Sequence, residues 1–260
     1  MTAELNDIVR AINAYLDPGT MTDYCVNGLQ VEGGNPIIER IAVGVSANMT
    51  LFDAAAAWGA QAVLVHHGLF WFTDDPETDP ARPIDNARAA FLRANGMSLL
   101  AWHLPLDAHP EVGNNAGIAR RLDLTVESRD FACMPEGGPC IGLIARTQPG
   151  IPVEALADRC RRVFGQEPIV TGSGKPDIER VAIVSGGGAG ETWSAIARGV
   201  DAYISGEGRE WIPGVAREAG LHFLAIGHHA SETWGIQDLA TWVERRFEVE
   251  TRFFPQDNVF

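Results

Sequence analysis

The sequence predicts an α/β fold: two similar α/β domains from an internal repeat, with mostly parallel sheets flanked by helices. Residues 36–71 and 176–211 align without a gap at an offset of 140, with 11 identities in 36 positions. Pro36/Pro176, Gly59/Gly199, Gly68/Gly208 and Trp71/Trp211 weigh more than the alanine matches in an alanine-rich chain. Each copy reads as strand, helix, strand. Its strands are apolar throughout rather than alternating, which marks strands buried on both faces and joined by a helical crossover.

The elements follow in order. Residues 1–21 carry Leu5, Ile8, Val9, Ile12 and Leu16 on one helical face, and Pro18-Gly19 ends that helix. No basic segment precedes an apolar core there, so a signal peptide is not expected. RIAVGVS (40–46) is a strand, NMTLFDAAAAWG (48–59) a helix ended by Gly59, and AQAVLVHHG (60–68) the next strand. RVAIVSGGG, ETWSAIARG and VDAYISGEG repeat the series. RANGMSLLAWHLPLD (93–107) resembles REAGLHFLAIGHHASE (217–232) with one extra residue in the second, and a helix follows each, roughly 115–122 and 233–247. Between the copies, CIGLIART is a strand, IPVEALADRCRRVFG a helix with Pro in its first turn, and EPIVTGSG a strand. The most loop-like stretches are 73–83 and 134–139. The chain divides into a first domain, 1–126 plus 228–260, carrying most metal ligands, and a second, 127–227.

Composition narrows the function. At 260 residues and 46% hydrophobic, the chain can bury a sizeable core. A net charge of −14 repels polyanions, so neither nucleic acid nor an anionic membrane is an expected partner. No apolar run reaches the ~18 residues of a membrane-spanning helix. Cys25, Cys133, Cys140 and Cys160 show no CxxC spacing, and free thiols in a reducing cytoplasm are the expectation.

Six of the seven histidines fall in three segments that end apolar runs: LVHHGLFW (64–71), LLAWHLPLDAHPEVGNN (99–115) and FLAIGHHASE (223–232). Imidazole and carboxylate are the donors for zinc, iron, manganese or nickel, and five or six of them exceed what one ion needs. His66 and His67 are adjacent, so within a strand they point to opposite faces; at its end, with Gly68 turning the backbone, both reach one cleft. The alternative is a core histidine pair bonded to backbone. His228 and Glu232, four apart, share the first turn of a helix, where Glu232 is a ligand or a capping carboxylate. Asp107 sits between Pro105 and Pro110, which stiffen its loop. His103 is a ligand or orients one, and the orienting role is favoured. His109, His222 and His229 read as surface, core or supporting histidines. Glu207 takes the repeat position of His67 and is a candidate proton shuttle. SGGGAG (185–190) lacks the GxGxxG frame and reads as a tight turn rather than a phosphate cradle.

Together, DYCVNGLQVEG (23–33), HHGLFW (66–71), HLPLDAHPEVGNN (103–115), SGEG (205–208) and GHHASE (227–232) resemble the NIF-three-like dinuclear metal-centre hexameric proteins, the type-two GTP cyclohydrolase I homologues. The resemblance covers almost the whole chain, in the short form without the inserted domain of longer members. It implies a two-domain α/β monomer, a toroidal homohexamer, and two divalent metal ions held by His66, His67, Asp107, His228 and Glu232. It also implies that the DYCVNGLQVEG loop, with Asp23, Asn27 and Gln30, lies near the metals. SGGGAG departs from the shorter Gly-Ser-Gly-like turn the family leads one to expect.

Two functional readings stay open. One is a metal-dependent hydrolase that turns a metal-bridged water into hydroxide against a small polar substrate, of the GTP cyclohydrolase kind, with Glu207 or His103 supplying a proton. The other is a non-enzymatic metal-binding scaffold or storage cage forming a hexameric ring. A weaker third is a regulatory protein whose acidic exterior binds a basic partner.

Overall fold

The computed structural model of the chain describes residues 2–72, 79–135 and 138–259. The loop readings at 73–78 and 136–137 lie outside them. The chain forms two compact units: Met1–Leu106 with Ile236–Asp257, and Asp107–Gly235 with Asn258–Phe260. Residues 107–126 and 228–235 thus group with the second unit rather than the first. The packing of Ile118, Ala119 and Leu122 into the second unit's core explains the shift at 107–126.

The first unit runs β1 (Ala3–Glu4), α1 (Leu5–Leu16), β2 (Gly28–Val31), β3 (Ile37–Ile38), β4 (Arg40–Ser46), α2 (Met49–Trp58), β5 (Ala62–His67), α3 (Arg82–Ala94), β6 (Ser98–Ala101) and the start of α4 (Leu104–Ala108). The second holds α5 (Asn114–Arg121), β7 (Thr125–Cys133), β8 (Cys140–Pro152), α6 (Val153–Phe164), β9 (Ile169–Gly172), β10 (Asp177–Val184), α7 (Thr192–Ala197), β11 (Ala202–Ser205), α8 (Ile212–Ala219), β12 (His222–Ala225) and the first turns of α9 (His228–Phe247). β13 (Glu250–Phe253) belongs to the first unit again.

Local signals act where the sequence places them. α1 buries Leu5, Ile8, Ile12 and Leu16, and it stops at Asp17 in a left-handed conformation ahead of Pro18. Asn48 caps α2 by accepting the Leu51 N–H at 3.0 Å, and Gly59 ends it at φ 77°. Gly165 ends α6 the same way at φ 71°.

In the first unit the order β13-β4-β5-β6-β2 is parallel except where β2 meets β6. In the second the order is β7-β8-β10-β11-β12-β9, a parallel trio β10-β11-β12 extended by antiparallel strands on both sides. Val181, Ile183, Ala202, Ile204 and Leu224 enter one core cluster, while Ala182, Val184, Tyr203, Phe223 and Ala225 enter another. These strands are therefore buried on both faces. At roughly 1.5–3 kcal/mol per large apolar side chain, that burial dominates the unit's stability.

The repeat is present in the hydrogen bonding. Ile41 pairs with Ala62, and Val181 with Ala202, both pairs 140 apart. Gln61 Oε1 accepts the N–H groups of Glu39 and Arg40, and Asp201 Oδ2 accepts those of Glu179 and Arg180. Arg40 donates to the Trp58 carbonyl, and Arg180 to that of Arg198. The next strands keep step too: Ala62 pairs with Ser98, and Ala202 with His222. The Trp102 N–H bonds the Val65 carbonyl as the Ile226 N–H bonds that of Ser205. The extra residue of the second copy is therefore Gly227, at φ 93°.

Cys25 and Cys160 are buried and form no disulfide, in line with the thiol expectation for them. Cys133 and Cys140 are joined in a disulfide, which corrects the free-thiol expectation for that pair. The cause is register: the antiparallel pairing of β7 with β8 sets the two residues directly opposite one another. Among the described residues no helix is long and apolar enough to cross a membrane.

Candidate metal centre

In the first unit three histidines come together. β5 ends in His66-His67, and His103 follows β6. The ring centroids are 4.6 Å apart for His66 and His67, 5.0 Å for His66 and His103, and 5.5 Å for His67 and His103. One ring nitrogen from each lies within 4.8 Å of the others. His66 and His103 are buried. Gly68 has no left-handed φ. A Cβ there would fall 2.3 Å from the Gln30 amide. Glycine makes room for Gln30, whose Oε1 accepts the Leu69 and Phe70 N–H groups while its Nε2 donates to the Val26 and Phe70 carbonyls.

Each histidine is held through Nδ1. His66 Nδ1 lies 3.0 Å from the Trp102 carbonyl, His67 Nδ1 3.1 Å from Ser46 Oγ, and His103 Nδ1 2.9 Å from Asp23 Oδ1. A carbonyl or carboxylate oxygen only accepts, so His66 and His103 donate from Nδ1 and turn Nε2 away from that bond. Asp23 is a built support. Besides His103 it accepts the Cys25 N–H, the Leu104 N–H and the Asn27 amide, and Asn27 Oδ1 in turn accepts the His103 N–H. Burial raises the Asp23 carboxyl, but the bond and charge of His103, with the Cys25 and Asn27 donors, outweigh it and hold the group below its usual range.

In the second unit α9 opens with His228 and Glu232, one turn apart, with Nε2 and Oε2 separated by 3.4 Å. His228 Nδ1 bonds Glu207 Oε1 at 2.5 Å, so it too directs Nε2 away from its support. Asp107 is buried, and its Oδ1 accepts Asn114 Nδ2 at 2.8 Å and Ser185 Oγ at 3.0 Å. Asn115 ties the same region, accepting the Ser185 N–H and donating to the Ile141 carbonyl. Gly186, at φ 59°, gives SGGGAG its role: a Cβ there would lie 2.2 Å from Glu232 Oε1 and 3.2 Å from His228 Nε2. The glycine leaves room for a carboxylate and an imidazole.

The other histidines lie apart from this role. His109 Nδ1 accepts the Val112 N–H and shapes its own loop, and His222 bonds the Lys175 carbonyl. His229 is buried, and burial pulls its pKa down against the opposing charge of Glu232. Sequence reasoning missed Ser46, Ser185, Asn114 and the Trp102 carbonyl as supports. The only available signal was the polar residue set against each strand end.

The donor chemistry fits divalent transition metals: imidazoles oriented through the second nitrogen, buried carboxylates, and a glycine where any side chain would intrude. The fold and these donor groups define an α/β protein with candidate metal-binding clusters. Residues 3–258 match the family Duf34/NIF3 (NGG1p interacting factor 3), and the chain belongs to it. A Pseudomonas aeruginosa relative called GTP cyclohydrolase 1 type 2 homolog is 42% identical over 258 residues, covering 99% of each chain. An Escherichia coli K12 relative of the same name is 40% identical over 97% of this chain and 98% of its own. The crystal structure of TTHA1606 from Thermus thermophilus superposes with a TM-score of 0.85 at 32% identity, over 99% of this chain and 100% of that one.

Proposed function

We propose that the chain binds two divalent ions through His66, His67, Asp107, His228 and Glu232, and that it is a hydrolase for a small polar substrate. The observation that supports this most is the shared use of Nδ1. Four histidines are each anchored through that atom, which fixes the ring and raises the basicity of the other nitrogen, as metal-ligating imidazoles require. The relatives' name suggests a purine nucleotide as substrate. A homohexamer is the assembly that goes with this reading.

Bound ions would polarise an electrophilic substrate atom and lower the pKa of water toward neutrality. The chain's own residues do the rest. Trp102, Ser46 and Glu207 orient His66, His67 and His228. Asn114 and Ser185 each donate to Asp107, which keeps one of its oxygens engaged and the side chain fixed. Glu207 has one oxygen committed to His228 while its side chain remains 38% exposed. It can hold or release a proton at the solvent edge.

Elemental analysis of chelator-free protein tests the metal reading. About two ions per chain are expected, falling sharply in Glu232→Ala and in His66→Ala. A content near zero, or unchanged in both variants, would overturn it. Metal-loaded protein is then assayed on a purine nucleotide panel. Turnover lost in the same variants supports the hydrolase, and two ions with no turnover favours the scaffold or storage cage.

A further inference from the structure

We propose that Tyr24 and Trp71 form a stacking surface for a planar conjugated ring, so that the ligand of this site carries such a ring and lays it beside His67 and His103. The proposal rests on the reading that the site takes a small polar substrate. It is independent of turnover and of how many ions bind.

The residues all come from the first unit. Tyr24 and Trp71 stack, with ring centroids 5.7 Å apart and 24° between their planes. Both meet the His103 ring edge to face, Tyr24 at 5.0 Å and Trp71 at 5.3 Å, and Trp71 lies 6.2 Å from the His67 ring. His103 is buried and His67 and Trp71 are half-buried, whereas Tyr24 is 51% exposed. The aromatic rings thus lead from the imidazoles out to solvent.

The backbone holds them there. Cys25 forms a bridge with Trp71, the Val26 N–H donates to the Phe70 carbonyl at 3.0 Å, and the Phe72 N–H donates to the Tyr24 carbonyl at 2.7 Å. Gln30 clasps the Leu69 and Phe70 N–H groups, and Asp23, next to Tyr24, fixes the His103 ring. A surface already rigid costs less to order when a ligand arrives.

The competing explanation is packing that shields the imidazoles. A shield buries its own surface, yet Tyr24 leaves about half of its area in water, and Phe72 beside it along the backbone is 71% exposed. Neighbouring exposed aromatics at the edge of a polar cluster mark a ligand surface better than single surface rings do. Aromatic faces also attract cations, but divalent ions at the adjoining imidazoles would repel one. A flat ring gains from face contact whatever its substituents, and its polar groups remain free to face His67 and His103.

The test titrates the intact, cobalt-loaded chain by calorimetry with guanosine monophosphate, flavin mononucleotide and ribose phosphate. Each probe carries one phosphate, so differences among them isolate the conjugated ring. Ion content, circular dichroism and a thermal melt are measured on every sample. At least one of the two conjugated probes should bind more tightly than ribose phosphate, and the tighter one shows which ring the surface prefers. Tyr24→Leu and Trp71→Leu should each weaken that probe about 5–150-fold, the range for losing one stacking aromatic. Ion content and ribose phosphate affinity should stay unchanged, and Tyr24→Phe should keep most of the affinity. Saturation-transfer NMR on the wild type needs no variant: protons of the conjugated ring should take up more saturation than those of the ribose. If all three probes bind alike, or weaken alike in the leucine variants, the substrate reading stands and the proposal falls. If none binds, both fall, and the ion content still decides the metal reading separately.

Discussion

In the first copy of the repeat β5 ends in His66-His67, and Ser46, at the end of β4, places its hydroxyl on His67. In the second copy the matching positions are Gly206-Glu207 and Gly186, and the metal-type donors come instead from the first turn of α9. The residues that hold the backbone agree between copies: the arginine on the helix-end carbonyl, the side-chain oxygen that clasps two N–H groups, the glycine that ends the helix. The residues at the strand ends do not. A duplicated scaffold keeps the parts that make a strand-helix-strand unit fold and frees the strand ends, where chemistry collects in α/β sheets.

The sharpest way to break that comparison is at positions 46 and 186. Gly186→Ala puts a methyl group 2.2 Å from Glu232 Oε1 on a backbone at φ 59°. The left-handed conformation alone costs about 1–2 kcal/mol, and the displaced carboxylate should cost metal as severely as Glu232→Ala does. Ser46→Ala removes one hydrogen bond, worth about 0.5–1.5 kcal/mol, and should leave most of the metal bound. Elemental analysis with a thermal melt reads both. Full metal content and an unchanged melt in Gly186→Ala would mean that the second copy's glycine is not there for the donors.

What could be read beforehand follows the same divide. The gapless offset of 140 holds in the strand pairing, Ile41 with Ala62 and Val181 with Ala202, because register cannot slip by one without turning each strand's faces over. The strand-end histidines were legible because imidazoles at the ends of apolar runs stand out. Their supports were less so: the family resemblance put the Asp23 loop near the metals, but Asp23 lies 80 residues from His103 and Ser185 lies 78 from Asp107, and no local pattern ties such pairs. Of the antiparallel extensions of the second sheet, β8 and β9 were read as strands without their pairing, and β7 escaped for a related reason. β7 alternates exposed and half-buried residues as an outer strand does, without the continuous apolar run that announced β10 and β11. The Cys133–Cys140 disulfide depends on that same unread pairing.

Gly68 and Gly208 are repeat partners with different reasons to be glycine, and a second pair of variants separates them. A Cβ at 68 would strike the Gln30 amide at 2.3 Å, whereas one at 208 would meet only Phe223 at 3.6 Å, ordinary contact. Neither has a left-handed φ, so sterics alone decide. Gly68→Ala must push out an amide that satisfies two N–H groups and two carbonyls, an expected loss of about 1–3 kcal/mol. Gly208→Ala should be near neutral. Urea denaturation of the two variants gives the answer, and equal losses would show that the glycines were kept for one shared backbone reason.

The copies also differ in the clasp between β4 or β10 and the strand beside it. Gln61 makes it with a neutral amide and Asp201 with a carboxylate, and the reason lies nearby: Lys175 pairs with Asp201 at 2.8 Å, where the first copy has Asn35. Burial raises the Asp201 carboxyl, but Lys175 and the Arg180 and Glu179 N–H groups outweigh it and hold the pKa below the ordinary range. A depressed carboxylate stabilises the fold above its unfolded value and loses that contribution as pH falls through its folded one. Asp201→Asn keeps an acceptor for the two N–H groups and loses the charge. It should therefore cost about 1 kcal/mol near pH 7, with the difference from wild type shrinking as pH drops below about 4. Lys175 is largely exposed, so added salt should shrink it as well. Urea titrations from neutral to acidic pH measure this directly. A difference that grows toward low pH would mean that Asp201 is bound protonated, and that the two copies share a neutral clasp after all.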